Sequence, residues 1–389
     1  MHYCIIGNGV AGTEAALSIR AQDSSSAITI ITQSAYHMYY RPRLIEYLAG
    51  DIKPKNLYIY KPATYDEKHI EVLFKTEVID IDTKNKYITL HHGSKIKYDK
   101  LCIATGATPT MPSIPGTTLQ GVFSVRTIDD ADAIINHIIN APNKNVVVVG
   151  GGLLGLETAY SLCKRGCNVT VIEFFDRLLP RQLDSDGAAI VKKLLEQKGL
   201  QFVLGDSVTE IFGDSYVQKV ICKSGKELTA NTVIFSMGIK PQTTLAKNAG
   251  IMVNRGIVID NYLQTSEPDI FAAGDPTEYN GICYGIWPAA REQGKLAGLN
   301  MAGTKQEYKG TLLSVLLKIT GIDLYSAGDF NKEGTKSIVH KADSIYVKFL
   351  HNNTEPVAAI VIGDMNIIKL ARNIMEKKAE ISELTSMFT

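Results

Sequence analysis

Gly7-Asn8-Gly9-Val10-Ala11-Gly12 follows directly on the apolar run Tyr3-Cys4-Ile5-Ile6, and Gly150-Gly151-Gly152-Leu153-Leu154-Gly155 follows on Val146-Val147-Val148-Val149. Each stretch reads as a strand, a glycine turn and the start of a small-residue helix. In such a turn the first glycine makes the bend, the second lets backbone approach a pyrophosphate, and the third lets helix and strand pack closely. The helix start then offers unpaired N–H groups and the positive end of its dipole to the phosphates. One Gly-x-Gly-x-x-Gly is a weak signal, because glycine-rich turns with no ligand share it; two in a strand–turn–helix setting point to two dinucleotide sites. A chain that holds two dinucleotides most often moves electrons between them.

The two turns belong to an internal repeat. Gly7, Gly9, Gly12 and Glu14 match Gly150, Gly152, Gly155 and Glu157 at a constant offset. Helical stretches (13–21 and 156–165) lead to second strands (28–32 and 168–173), which makes a βαβ unit twice over. The fold class expected is α/β, with two Rossmann-like dinucleotide-binding domains and a small C-terminal α+β domain. Residues 107–116 hold three prolines and read as a linker. A second crossing is expected at 238–242, with strands resuming at 257–259 and 270–273. The expected domains are therefore a discontinuous FAD domain (1–106 and 241–304), an inserted nicotinamide domain (107–240) and a third region (305–389). That third region alternates like strands at 344–350 and 357–363 and is expected to end in one charged helix over 366–383.

The 389 residues carry a formal net charge of +1, which gives no global case for nucleic acid or an anionic membrane as partner. No apolar run reaches the ~18 residues a membrane helix needs, and with a strand read from the very start no signal peptide is expected. The six cysteines are Cys4, Cys102, Cys163, Cys167, Cys222 and Cys283. They form no Cys-x-x-Cys and no metal-ligand spacing, so no metal site is expected. Cys4 and Cys102 sit in apolar strands and read as core residues; Cys163 and Cys167 read as structural thiols before a redox pair. The pattern suits a reducing cytoplasm.

Further motifs carry a resemblance. Cys102-Ile103-Ala104-Thr105-Gly106-Ala107 is similar to a strand-to-linker signature near a flavin, and Phe235-Ser236-Met237-Gly238 to its counterpart in a nicotinamide domain. Ile270-Phe271-Ala272-Ala273-Gly274-Asp275 is similar to a second FAD motif, and Trp287-Pro288-Ala289-Ala290-Arg291-Glu292-Gln293-Gly294 to a helix start under the flavin ring. Over essentially its full length the chain resembles the two-dinucleotide flavoprotein family of pyridine nucleotide oxidoreductases, which is glutathione-reductase-like in fold. Tyr39-Tyr40-Arg41-Pro42-Arg43-Leu44 resembles a narrower branch, the NADH:rubredoxin oxidoreductases.

The resemblance implies a set of cofactor-binding positions. Gly7, Gly9, Val10, Ala11, Gly12, Pro42, Ala104, Thr105, Gly106 and Gly274 fall to FAD; Gly150, Gly152, Leu154, Gly155 and Gly238 fall to the nicotinamide side. Asp275 is placed to hold the ribityl hydroxyls, the alternative being a turn aspartate. Backbone near Ile286 meets the flavin ring, and backbone at Val78 the adenine. The helix opening at Pro288 aims its positive end at the flavin pyrimidine. Glu173 ends the second strand of the second unit, where a carboxylate accepts from the adenosine ribose 2′-hydroxyl of NADH and repels a 2′-phosphate. The matching place in the first unit is Thr32-Gln33, with no acid, and weaker contacts from Thr32 or Gln33 are expected there. Three residues are expected at the reacting centre: Glu157 at the flavin–nicotinamide junction, and Arg41 and Lys318 beside the flavin. The competing readings are an acid in the first turn of its helix for Glu157, a solvated arginine for Arg41, and snorkelling out of an apolar run for Lys318. Arg126 is expected to reach FAD, with a surface strand-end arginine as the alternative.

Members of the family that reduce disulfides carry a cysteine pair, and others carry one cysteine after the first unit. Residues 36–46 contain no cysteine, so no thiol relay is expected. The function implied is an FAD-dependent oxidoreductase that takes hydride from NADH and gives electrons to a small iron protein, rubredoxin first. The alternatives are a peroxide-forming NADH oxidase, the reductase component of a larger redox complex, and a non-catalytic NAD-sensing flavoprotein.

Overall fold

Both glycine turns sit at the carboxyl end of the central strand of a parallel sheet. In the computed structural model, which describes residues 1–141, 143–317, 321–330, 332–342, 345–353 and 355–388, the first sheet has the spatial order Ile270–Ala272, Lys100–Ile103, His2–Ile6, Ala27–Ile31, Glu71–Leu73. All its pairings are parallel. The second has the order Gln201–Leu204, Asn168–Glu173, Asn145–Val149, Thr232–Phe235, Val122–Ser124, again all parallel. Their inner strands are largely aliphatic and buried along most of their length, as expected of parallel strands covered on both faces. The chain leaves each central strand for the neighbour on one side and returns later to the other side. That reversal opens a crevice above the strand ends, where ligands of such sheets bind.

The repeat runs deeper than the glycine turns. Each half also carries a three-stranded antiparallel sheet: Val78–Asp82, Tyr87–Leu90 and Lys95–Lys97 in the first, Val208–Phe212, Lys219–Cys222 and Glu227–Thr229 in the second. In the first half the helices Val10–Gln22 and Trp287–Met301 cross closely. A Cβ on Gly294 would lie 2.3 Å from the Ala11 carbonyl oxygen, and one on Gly298 2.3 Å from that of Ala15. Glycine is required at both positions by that approach.

Contacts divide the chain into two units: Met1–Arg43, Pro54–Thr108 and Ile239–Thr311 form one; Leu44–Lys53, Pro109–Gly238 and Leu312–Thr389 form the other. The linker at 107–116 opens with a short strand, Ala107–Pro109, paired with Ile239–Pro241 at the second crossing. Leu44–Lys53 joins the second unit, where Arg165 donates to the carbonyls of Leu48 and Tyr47 and Lys164 bonds Asp51. The third region has an antiparallel sheet of its own, ordered Ser314–Leu317, Leu324–Gly328, Glu355–Ile362, Ile345–Asn352, Lys336–Ala342. It is tied within the second unit to residues before helix Ser185–Glu196. Ser326 donates to the Gln182 carbonyl at 2.6 Å, and the Asp184 carboxylate accepts from Tyr346 at 2.7 Å and Lys348 at 2.8 Å.

Three expectations are corrected. The single C-terminal helix over 366–383 is two helices, Met365–Met375 and Ile381–Thr385, because Lys377 turns the backbone to φ 58°. Glu157 is the fifth residue of helix Leu153–Lys164, beyond the first turn. Helix starts lie a little earlier than read, at Val10 and Leu153, because the glycine turns themselves lead straight into helix. Lys318 and Ser344 lie outside the described residues. No helix among the described residues is long and apolar enough to cross a membrane.

Candidate functional site

The two glycine turns are nearly superposable in their constraints. Gly7 and Gly150 have φ of 114° and 117°, and a Cβ on either would lie within 2.3 Å of the carbonyl oxygen of Ala104 or Ser236 on the adjoining strand. Only glycine suits such a bend. Gly7 N–H donates to Ile31 O and Gly150 N–H to Ile172 O, each at 2.8 Å. A Cβ on Gly12 would meet Gly7 O at 1.9 Å, and one on Gly155 would meet Gly150 O at 2.0 Å. The middle glycines differ in kind. Gly9 and Gly152 have φ of −78°, open to any residue, and a Cβ there would meet nothing within 4 Å. Nothing in the protein itself asks for glycine there, so the missing side chain leaves room for a ligand.

Among the described helices longer than eight residues, the helix starts fall into two kinds. A helix leaves its first N–H groups without intrahelical partners, and a side chain normally caps some of them. Thr127, Asp184 and Asp364 do so for helices Ile128–Asn140, Ser185–Glu196 and Met365–Met375. Helices Val10–Gln22, Leu153–Lys164 and Trp287–Met301 begin at Gly9, Gly152 and Ile286 with no side-chain cap. These are the three helix starts at which the motifs place the two pyrophosphates and the flavin ring. The residues present therefore fit two dinucleotides.

Around the first turn, Asn8 accepts from Thr13 at 3.1 Å and donates to the Tyr36 carbonyl. Thr32 is buried and its hydroxyl accepts from the Ser34 N–H at 3.2 Å, while Gln33 is exposed. Gly106 and Gly274 adopt φ of 79° and 87°, which shapes the corners after Ala104-Thr105 and before Asp275. Gln293, unassigned from sequence, is buried on helix Trp287–Met301 and accepts from the Gly274 N–H at 2.8 Å and from Thr277 at 2.9 Å. It pins the Gly274-Asp275 corner. Asp275 is half-buried there, and no helix starts at it. Val78 is buried at the head of its strand and Pro42 is exposed. Arg41 lies in a short 3-10 turn, 6.0 Å from the Tyr39 ring centroid, with its buried Nε lacking an acceptor. Leaving such a donor unmet costs roughly 1–3 kcal/mol.

Around the second turn, Glu173 departs from the simple picture. It is 6% exposed. One carboxylate oxygen accepts from Gly151 N–H at 2.5 Å and the other from Phe175 N–H at 3.0 Å. Glu173 thus holds its own glycine turn, as Thr32 caps the residue two on in the first unit. This role left a faint signal in sequence, an acid at a strand end facing a third glycine, Gly151. Glu157 is half-buried, and burial pushes its carboxyl up to about 7. Its counterpart Glu14 instead accepts from Arg291 at 2.9 Å and from Tyr60 at 3.2 Å. Leu154 is exposed on the first turn of its helix, and Gly238 adopts φ 91°. Arg126 precedes the capping box of helix Ile128–Asn140, its N–H bonded to Asp130. The six cysteines are free, and burial pushes Cys4 and Cys102 up to about 12.

Residues 1–294 match the family described as pyridine nucleotide-disulphide oxidoreductase, and residues 314–379 match the rubredoxin NAD+ reductase C-terminal domain. A nitrite reductase [NAD(P)H] of Bacillus subtilis is 35% identical over 98% of this chain and 48% of its own length. The chain thus spans about half the length of the first curated relatives it matches. An NADH-rubredoxin oxidoreductase of Clostridium acetobutylicum is 30% identical over 98% of this chain and 96% of its own length. The crystal structure of NADH:rubredoxin oxidoreductase from that organism aligns with a TM-score of 0.83 over 100% of this chain and 98% of its own, at 30% identity.

Proposed function

We propose that this chain, which belongs to the pyridine nucleotide-disulphide oxidoreductase family, is an FAD-dependent NADH oxidoreductase that delivers electrons to a small iron protein of the rubredoxin type. The observation that carries the reading is the set of three long helices without side-chain caps, at Gly9, Gly152 and Ile286. Bound FAD supplies the acceptor for a hydride and the donor of single electrons. NADH gives one hydride, two oxidised iron proteins each take one electron, and one proton is released. Gly9 and Gly152 admit the two pyrophosphates. The turn that Glu173 holds receives the adenosine half of NADH, and the same carboxylate disfavours a 2′-phosphate. Arg41 offers its unmet Nε–H to the flavin, and Glu157 sits at the nicotinamide. The chain's part is positioning and electrostatics, with no general base required.

Rubredoxin as acceptor is supported by the match at 314–379 and by the Clostridium relative, which is covered almost end to end. A second reading, the reductase section of a longer enzyme, is favoured by the 48% coverage of the Bacillus nitrite reductase. A cytoplasmic location is proposed on the six free cysteines, as suits a reducing compartment. Steady-state NADH oxidation without oxygen, compared across rubredoxin, ferredoxin and ferricyanide, tests the assignment. The expected outcome is rubredoxin turnover with the highest kcat/KM of the two iron proteins. Turnover with ferricyanide alone removes rubredoxin and favours the second reading.

A further inference from the structure

We propose that one face of the C-terminal antiparallel sheet positions the glycine turn of the second dinucleotide site, with Ser326, Tyr346 and Lys348 acting through segment 179–184. The inference rests on the proposed function for the ligand, NADH, and on a chain of hydrogen bonds inside the second unit for how its turn is held. The two glycine turns are braced differently. In the first, Asn8 ties its own turn with its side chain, which donates to the Tyr36 carbonyl at 3.2 Å and accepts from Thr13 at 3.1 Å. Gly151 takes that place in the second turn and has no side chain, so its backbone must be held from outside. The Glu173 carboxylate takes its N–H, and its carbonyl accepts from the Leu179 N–H at 3.0 Å. The second of these bonds aims a donor. The Gly151 carbonyl and the Gly152 N–H belong to one trans peptide plane and point to opposite sides of it. Fixing the carbonyl on Leu179 therefore fixes the direction of the Gly152 N–H, at the helix start that receives a pyrophosphate.

Leu179 needs support to do this. It is buried, with φ 49°, in the left-handed region that a residue with a side chain keeps only when its surroundings hold it there. Its carbonyl accepts from the Gln182 and Leu183 N–H groups, each at 2.9 Å, so the bend and the residues after it move as one piece. The third region grips that piece at its far end. Ser326 donates to the Gln182 carbonyl at 2.6 Å, and the Asp184 carboxylate accepts from Tyr346 at 2.7 Å and Lys348 at 2.8 Å while capping the Gly187 N–H at 3.0 Å. The three gripping side chains share one face of the sheet because side chains alternate along a strand. Their neighbours Tyr325, Val347 and Phe349 belong to the other face and pack with Ile367, Ile368 and Ile374 of helix Met365–Met375. The sheet thus carries its own helix on one side and braces the glycine turn from the other.

The test uses the oxidised, FAD-loaded protein and NAD+, which occupies the turn without reducing the flavin. Coupling between two sites is reciprocal. In the unaltered protein, saturating NAD+ should therefore slow amide hydrogen exchange over 179–184 and over strands Leu324–Gly328 and Ile345–Asn352, and leave helix Met365–Met375 unchanged. Ser326→Ala with Tyr346→Phe removes two of the donors that hold the segment. This double variant should raise the Kd for NAD+ and the KM for NADH about tenfold, with the loss falling on KM and not on kcat toward ferricyanide. Ile374→Ala loosens the same sheet from its other face and should leave both constants as they were. Unchanged affinity in the double variant, equal weakening in the two proteins, or no protection of the two strands by NAD+ overturns the positioning role and leaves the proposed function standing. The exchange measurement needs no variant and decides the case if the double variant does not fold. An unaltered protein that neither binds NAD+ nor is reduced by NADH overturns the proposed function itself.

Discussion

Replacing Glu173 separates two jobs that one carboxylate does. Its oxygens hold Gly151 N–H at 2.5 Å and Phe175 N–H at 3.0 Å, and lone pairs remain for the adenosine ribose. In Glu173→Ala the exposed Phe175 end of the loop reaches water, but Gly151 is buried and its N–H loses its acceptor. A hydrogen bond to a charged group is worth roughly 1.5–3 kcal/mol. If the bound state requires the ordered turn, that loss alone raises the Kd for NADH about tenfold to a hundredfold. Glu173→Gln keeps one acceptor but turns an amide NH2 toward an N–H, so it should resemble the alanine variant. The assay is the Kd for NADH, NADPH and 2′-deoxyadenosine NADH, measured by fluorescence on the oxidised protein. Loss of the turn weakens NADH and the deoxy analogue alike; loss of the ribose contact weakens NADH further and leaves NADPH less disfavoured. Equal NADH and NADPH affinities in the unaltered protein, or a Glu173→Ala variant that keeps its affinity for NADH and the deoxy analogue, would refute the reasoning.

The glycines give paired tests. Gly9→Ala should fold but purify with little FAD, and Gly152→Ala should keep FAD and lose NADH affinity, because a Cβ at either place meets nothing in the protein. Gly12→Ala, with its Cβ 1.9 Å from Gly7 O, should lose stability by circular dichroism melting. If Gly9→Ala retains full FAD by absorbance, the open space is not a ligand site. Glu157 titrates near 7 instead of 4.5. A carboxyl raised by folding ionises first in the unfolded chain, so stability falls as pH rises from 4.5 to about 7 and levels above. Glu157→Gln should remove that slope in urea unfolding, and an unchanged slope would place it elsewhere. Anaerobic reductive titration should end at about two electrons per flavin, since no dithiol adds two more; four would mean a redox-active cysteine pair.

The fold was legible where a backbone constraint is local. Gly7 and Gly150 need positive φ and Gly12 and Gly155 need close approach, and each need is met by one residue type at a fixed spacing. The parallel strands followed because β-branched runs abut those turns. Segment Leu44–Lys53 was not legible, because its place in the second unit depends on Arg165 and Lys164 more than a hundred residues away. Its apolar residues Leu44, Ile45 and Leu48 signal a buried face, but not against what. The break at Lys377 hides in a run of charged residues that suits helix and turn alike. At the site, the glycines and Gly274-Asp275 were read from motif, while Gln293 and the inward face of Glu173 were not. Both act through hydrogen bonds to backbone N–H groups, and the pattern of side chains along a sequence does not reveal those.

The most direct test of the account is the fate of the reduced protein in stopped flow. NADH is added without oxygen until the flavin is bleached, and the reduced protein is then mixed with either oxidised rubredoxin or air-saturated buffer. The account predicts that rubredoxin restores the flavin absorbance in two one-electron steps, consuming two rubredoxins per flavin, and does so much faster than oxygen. Rapid reoxidation by oxygen with no reaction toward rubredoxin would contradict it.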